Sequence, residues 1–170
     1  MIQALWPREL DGLSRRTAGF NFLVGTWRVH NRRLRAPLTG SDEWYETSAK
    51  AASMTMHNGS VSIDEMWYAE LGFAGSSIRV HTPDDDLWSI YWVNSRTGEL
   101  QPPVSGRWND DGTHVEAQGP DVYEDRPIIS RYYWHSITET EATWEQAFST
   151  DKGQTWETNW VMTWTRAPWD

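Results

Sequence analysis

The sequence contains no cysteine, so a disulfide framework, a thiolate nucleophile and a cysteine-ligated zinc site are all excluded. It also has no long apolar run, and its N-terminal stretch carries Arg8, Glu9, Asp11, Arg15 and Arg16. Charges at this density fit neither a secretory signal peptide nor a membrane-spanning helix. Together these absences predict a soluble protein of the cytoplasm.

Basic residues are scarce as well. Lys and Arg total 15 against 24 Asp and Glu, which gives a net charge of −9. Such a chain repels phosphate backbones and anionic lipid, so neither nucleic acid nor a membrane surface is an expected partner. With 170 residues the chain is long enough for one domain with one core and one cavity.

Tryptophan, in contrast, is abundant, with 13 residues in the chain. Most of these rings are expected to fill the core, because each can bury about 150–250 Å². Some are expected to line a cavity for a small hydrophobic or aromatic molecule, since ligand pockets are rich in aromatic side chains.

The apolar pattern of a helix is confined to a short segment around residues 14–23. From Thr26 onward, short runs rich in Trp, Tyr, Thr, Val and Ile alternate with Gly, Asn, Asp and Pro, as in strands joined by tight turns. The predicted strands are 26–36, 42–55, 60–69, 73–82, 87–94, 103–109, 112–118, 127–137, 141–149 and 155–166.

About ten strands without crossover helices predict an all-β protein with a single antiparallel meander. Closing the meander into a barrel leaves no exposed edge, so a barrel is preferred to a two-sheet sandwich. Residues 1–20 are predicted to cap the barrel, and residues 21–168 to form it.

Alternation within the last two strands predicts which side chains point inward. The inward faces carry Trp144, Gln146 and Phe148 on one strand and Trp156, Thr158, Trp160, Met162 and Trp164 on the next. Gln146 and Thr158 are then polar groups among rings. Trp144, Gln146 and Trp160 are therefore candidate ligand-binding residues.

Alternation leaves the inward face of strands 87–94 and 127–137 open, because aromatic residues occupy both faces. Trp92 and Tyr133 are the candidate ligand-binding residues of these strands, and Arg79 and His30 are further candidates elsewhere in the barrel. Two-sided aromatic strands also predict that the N-terminal segment or a partner subunit, as in a homodimer, covers part of the outer surface.

The segment from Ser149 to Trp156 matches the S-x-D-x-G-x-T-W pattern of the Asp box found in sialidases. A single copy in so short a chain is interpreted as a hairpin turn. Asp151 is expected to bond turn amides, Gly153 to adopt a positive φ, and Trp156 to anchor the hairpin in the core.

Gly25-Thr26-Trp27 follows Phe22-Leu23-Val24 and opens the first predicted strand. This segment, with Trp144 to Phe148 and Thr155 to Trp160, resembles the lipocalins and related calycins, and in particular a bacterial lipocalin-like family without assigned function. The resemblance implies a barrel with a ligand cup and implies no reaction. The chain departs from secreted lipocalins, because it contains no cysteine and no signal peptide is predicted.

The five histidines show no ligand spacing, and no metal site is predicted. Cofactors are not expected either, although haem held by one of His30, His81 or His135 is an open alternative.

Glu145 and His135 are candidate catalytic residues, and Asp64 with Glu65 offers a further carboxylate pair. The competing interpretation of these acids is a solvated strand face or an ion pair with Arg28, Arg79 or Arg131.

Two functions remain. In the first, the barrel binds a small hydrophobic or aromatic molecule without changing it. In the second, it is a cofactor-independent isomerase, cyclase or hydratase acting on a hydrophobic metabolite in the same cavity. Binding is preferred because no catalytic constellation is evident in the sequence.

Overall fold

The computed structural model describes residues 19–168. The predicted cap over residues 1–20 therefore lies almost entirely outside the described residues. Within them, the helical segment expected around residues 14–23 is a 3₁₀ turn at Gly19–Leu23. No helix in the described part of the chain has the length and apolarity needed to cross a membrane.

Ten strands make up the described chain. They are β1 (Gly25–Leu34), β2 (Trp44–Met56), β3 (Val61–Tyr68), β4 (Phe73–Thr82), β5 (Leu87–Asn94), β6 (Val104–Trp108), β7 (Val115–Tyr123), β8 (Arg126–His135), β9 (Glu141–Ser149) and β10 (Glu157–Arg166). Each pairs antiparallel with the next along the chain, and β10 pairs back onto β1. The predicted all-β, closed antiparallel barrel of about ten strands is confirmed.

Alternation along β1 shows how the sequence separates the two faces of the wall. Trp27, Val29 and Asn31 are buried, whereas Arg28 and His30 between them are exposed. The same rule resolves the two strands that the sequence left open. Trp88, Ile90 and Trp92 face inward on β5, and Ile128, Ser130, Tyr132 and Trp134 face inward on β8.

Strand β7 is longer than predicted, because the expected turn between Gly119 and Arg126 is mostly strand. Pro120 is tolerated there because β6 pairs with β7 only as far as Gln118, so no neighbour on that side needs its missing N–H. The actual turn is formed by Glu124 and Asp125, both with positive φ.

A register shift between Thr158 and Trp160 changes which side chains of β10 point inward, so part of the predicted inward face is wrong. The extra residue, Asn159, reverses the alternation, so Trp160, Met162 and Trp164 face inward while Thr158 pairs with Ala147 on the outer side. Trp156 likewise lies outside, with the Arg131 guanidinium 4.4 Å from its ring centroid, rather than in the core as predicted.

The Gly19–Leu23 turn closes one end of the barrel. Phe20 is fully buried there, with its ring centroid 5.0 Å from that of Trp88. Gly19 has φ +52°, and a Cβ at this position would lie 2.0 Å from Cζ2 of Trp88. Glycine is thus required both by the backbone and by the ring packed against it.

Candidate functional site: the barrel cavity

Beyond the closed end, the barrel encloses a cavity of about 310 Å³. Its apolar lining includes Met66, Phe73, Ile90, Trp92, Tyr132, Trp144, Phe148, Trp160 and Met162, and its polar lining includes Arg33, Ser77, Arg79, Asn94, Gln101, Asp121 and Gln146. A volume of this size falls within the range of small-molecule sites.

Aromatic side chains from adjacent strands form one continuous wall of the cavity. The ring centroids of Tyr132 on β8 and Trp144 on β9 are 5.0 Å apart, and those of Trp144 and Trp160 on β10 are 5.2 Å apart at 87°. Arg33 on β1 extends this wall, with its guanidinium carbon 3.8 Å from the Trp160 ring centroid. Such edge-to-face and cation–π contacts hold the rings in fixed orientations.

On the opposite wall, Trp92 lies across β4 where a glycine makes room for it. A Cβ at Gly75 would meet Cζ2 of Trp92 at 2.1 Å. The absence of a side chain at Gly75 therefore leaves the space that the Trp92 ring occupies.

Two asparagines orient the polar atoms of the aromatic wall. Trp160 donates its indole N–H to Oδ1 of Asn31 at 2.9 Å, and Gln146 donates Nε2–H to Oδ1 of Asn159 at 2.8 Å. The bulge at Asn159 is what brings its side chain within reach of Gln146. Gln146 thus keeps its Oε1 as an acceptor and its second Nε2–H as a donor.

A buried ion pair lies beside the deep part of the cavity. Arg79, which lines the cavity, donates to the carboxylate of Asp64 and, at 3.3 Å, to the hydroxyl of Ser62. Asp64 also accepts the backbone N–H of Ser77 at 3.2 Å. The predicted alternative for Asp64, an ion pair with Arg79, is the arrangement observed, so the charge of Arg79 is compensated within the protein.

Burial extends the pH range over which the tyrosines of the cavity stay protonated. Desolvation, with a smaller effect of the Asp121 carboxylate, raises the pKa of Tyr132 to about 12. Desolvation also raises the pKa of Tyr68 well above its usual range, although the nearby Arg33 guanidinium opposes this rise. Both hydroxyl groups are therefore hydrogen-bond donors at neutral pH.

The structure brings five of the predicted ligand-binding residues to the cavity. Trp92, Trp144, Gln146, Trp160 and Arg79 all line it.

Two other predicted ligand-binding residues lie elsewhere. His30 points outward from β1 and faces Glu46, with 3.6 Å between Nε2 and Oε2. Tyr133 lies on the outer face of β8, stacked on His135 at 4.8 Å. The prediction that these two residues line the ligand site is therefore wrong. Successive side chains of a strand point to opposite faces, and His30 and Tyr133 are the direct neighbours of the buried Val29 and Trp134.

The two candidate catalytic residues do meet, but outside the barrel. His135 Nε2 lies 3.1 Å from Oε1 of Glu145, and neither side chain lines the cavity. This pair is half-exposed on the outer face, where it has the geometry of an ordinary surface hydrogen bond. The structure therefore places no acid–base function of these residues inside the cavity.

No histidine in the described part of the chain lines the cavity. His81 bonds Asp86 at 3.0 Å and stacks on Trp88 near the closed end, while His30 and His135 are outside. Haem therefore has no imidazole ligand among the described residues of this cavity. Those residues also contain no group of three or more His, Cys, Asp or Glu side chains arranged to hold a metal ion.

Sequence reasoning missed Arg33 and Tyr132, although a signal for one of them was present. Arg33 shares the parity of Trp27, Val29 and Asn31, so extending the alternation to the end of β1 would have placed it inside. Tyr132 carried no such signal, because Tyr133 beside it is equally aromatic.

The Asp-box segment lies at the β9–β10 turn, outside the cavity lining. Asp151 accepts the backbone N–H groups of Gln154 and Thr155 at 3.0 and 2.9 Å and the Thr155 hydroxyl at 2.6 Å. These hydrogen bonds, first of all that from the Thr155 hydroxyl, lower the pKa of Asp151 to about 2. Gly153 has φ +85°, as the turn interpretation requires.

Neither protein-family models nor curated protein sequences match this chain. The lipocalin resemblance of the Gly25-Thr26-Trp27 segment stays a prediction. The cavity and its polar groups are thus the observations that bear on function.

Proposed function

We propose that the protein is a lipocalin-like binding protein that holds one small hydrophobic or aromatic molecule inside the barrel. The observation that carries this proposal is the cavity of about 310 Å³ walled by Tyr132, Trp144, Trp160 and Trp92. Rings already held by protein contacts lose little freedom on binding, so such a wall favours a flat apolar ligand.

The location of the acid–base candidates supports binding over the enzymatic alternative. Glu145 and His135 face solvent, and the buried carboxylate of Asp64 is paired with the guanidinium of Arg79. An isomerase, cyclase or hydratase would need a proton-transferring group within hydrogen-bond reach of the substrate. The one carboxylate that lines the cavity among the described residues, that of Asp121, is exposed to solvent.

Filling the cavity tests the proposal. Ser77 lines the cavity on β4, whereas Ser76 next to it does not. Ser77→Phe is expected to weaken binding of the neutral fluorescent probe N-phenylnaphthylamine by about tenfold or more, since the added ring occupies ligand space. Ser76→Phe is the matched control, and its affinity should equal that of the wild type.

Fluorescence titration of the three proteins decides the matter. Equal affinity of wild type and Ser77→Phe would mean that the probe binds outside the cavity and would contradict the proposal. Native mass spectrometry of protein from its own host adds an independent check, because a retained small molecule should disappear in Ser77→Phe and persist in Ser76→Phe.

A further inference from the structure

The polar groups of the aromatic wall are mostly donors that lack a protein acceptor. Tyr132, Trp144 and Trp92 line the cavity, and none of their O–H or N–H groups is hydrogen-bonded to another described residue. Trp160 differs, because its N–H is already accepted by Asn31. The aromatic wall thus offers several unpaired donors, and the acceptor oxygens of the lining belong to polar residues such as Ser77, Gln101, Asp121 and Gln146.

The same wall also carries an uncompensated positive charge. Arg33 is half-buried, and among residues 19–168 no carboxylate oxygen lies within 4.0 Å of its guanidinium. Two carboxylates in this region, those of Glu157 and Asp121, form no ion pair with it. Glu157 accepts the backbone N–H of Leu38 at 2.7 Å, and Asp121 is exposed at the cavity mouth.

Arg33 is nonetheless well fixed for recognition. Its guanidinium lies 3.8 Å from the Trp160 ring centroid, and the Trp160 and Tyr68 rings are 6.3 Å apart. A guanidinium placed over an aromatic ring can still donate its N–H edge to a second planar group, and a carboxylate is the group that this edge matches best.

We infer that the ligand is a small organic acid, with its carboxylate against Arg33 and an apolar, ring-sized body against Trp144, Tyr132 and Trp92. This inference rests on the proposed function, since it names the chemical class of the molecule in the same cavity. Arg79 does not compete for the carboxylate, because Asp64 already neutralises it.

Cinnamate and cinnamyl alcohol are a suitable pair of probes, because they share the same body and differ in the charged group. Wild-type protein is expected to bind cinnamate about tenfold or more tightly than the alcohol, as a charge-assisted hydrogen bond implies. Arg33→Met should remove this preference by weakening cinnamate binding to a similar extent, while the affinity for cinnamyl alcohol changes less than about twofold. Isothermal titration calorimetry measures all of these affinities.

Arg32→Met is the matched control, because Arg32 is the sequence neighbour on the outer face, 3.9 Å from Glu46. It should retain the preference for the acid. If the wild type binds both probes equally, or if Arg33→Met weakens both alike, the inference is overturned while the proposed function stands. If neither probe binds wild type at millimolar concentration, the inference is overturned, and the N-phenylnaphthylamine titration decides the proposed function separately. The wild-type comparison does not depend on the folding of any variant.

Discussion

The two halves of the barrel interior use the same residue type for opposite purposes. At the closed end, Phe20 lies 5.0, 5.5 and 6.4 Å from the ring centroids of Trp88, Trp108 and Trp134, and the rings fill the space. In the other half, rings such as Trp144 stand along the wall and leave about 310 Å³ open. Position along the strand, rather than tryptophan content, therefore decides whether a ring supplies stability or a binding surface.

The largest expected effect is the difference in stability loss when one tryptophan is replaced in each half. Trp88→Ala at the closed end should lower the free energy of unfolding by about 3–5 kcal/mol, because the ring is fully buried and its loss leaves a cavity. Trp92→Ala should cost less, because part of that ring already faces open space. Denaturant unfolding of both variants checks this, and equal losses would contradict the division of the interior.

Breaking the ion pair beside the deep part of the cavity should destabilise the protein nearly as much as a substitution at the closed end. Asp64→Ala leaves Arg79 as a buried, uncompensated charge and is expected to cost about 3–5 kcal/mol of unfolding free energy. The double variant Asp64→Ala/Arg79→Met removes the charge and should recover much of that loss. If the double variant is no more stable than Asp64→Ala, the compensation argued for Arg79 is wrong.

The Asp-box turn lies outside both halves and is expected to show a smaller effect confined to stability. Gly153→Val forces a β-branched residue to φ +85° and should cost about 1–3 kcal/mol. Ligand affinity of the folded protein should stay at the wild-type value, because the turn does not line the cavity. Thermal unfolding and a cinnamate titration of the same sample test both parts, and lost affinity in folded protein would contradict the structural role.

The sequence carried enough information for the barrel, because its strands follow from alternation and turn residues. Strands β4, β5 and β9 have the predicted bounds. The prediction for β7 was wrong at Gly119 and Pro120. Local propensity indicates a turn there, and a strand is tolerated only because β6 is short. The length of β6 is a property of the neighbouring strand, so the residues of β7 alone do not reveal it.

The candidate site was less predictable than the fold, because it depends on which face each strand turns inward. Trp144 and Gln146 were placed correctly by alternation within β9. The bulge at Asn159 was invisible to the same rule, since one extra residue reverses the parity without changing composition. Arg33 was not singled out, although alternation along β1 places it inside, where its guanidinium packs on the Trp160 ring.

The smallest expected effect compares the inner and outer faces of β9. Gln146 lines the cavity and has Oε1 available, since its Nε2–H is donated to Asn159. Gln146→Leu should weaken binding of cinnamyl alcohol, whose hydroxyl can donate to Oε1, by about 0.5–1.5 kcal/mol, the value of a neutral hydrogen bond. Glu145→Gln, one residue away and facing His135, should leave this affinity unchanged. Calorimetric titration of both variants makes the comparison, with circular dichroism confirming that each keeps the β-barrel.

Loss of binding in Glu145→Gln with no change in Gln146→Leu would move the site to the outer face and revive the acid–base pair of Glu145 and His135 as the functional one. Because the two side chains are neighbours on one strand, a difference between them reports the direction in which each points, and it is this direction that separates a ligand-binding interior from a catalytic surface.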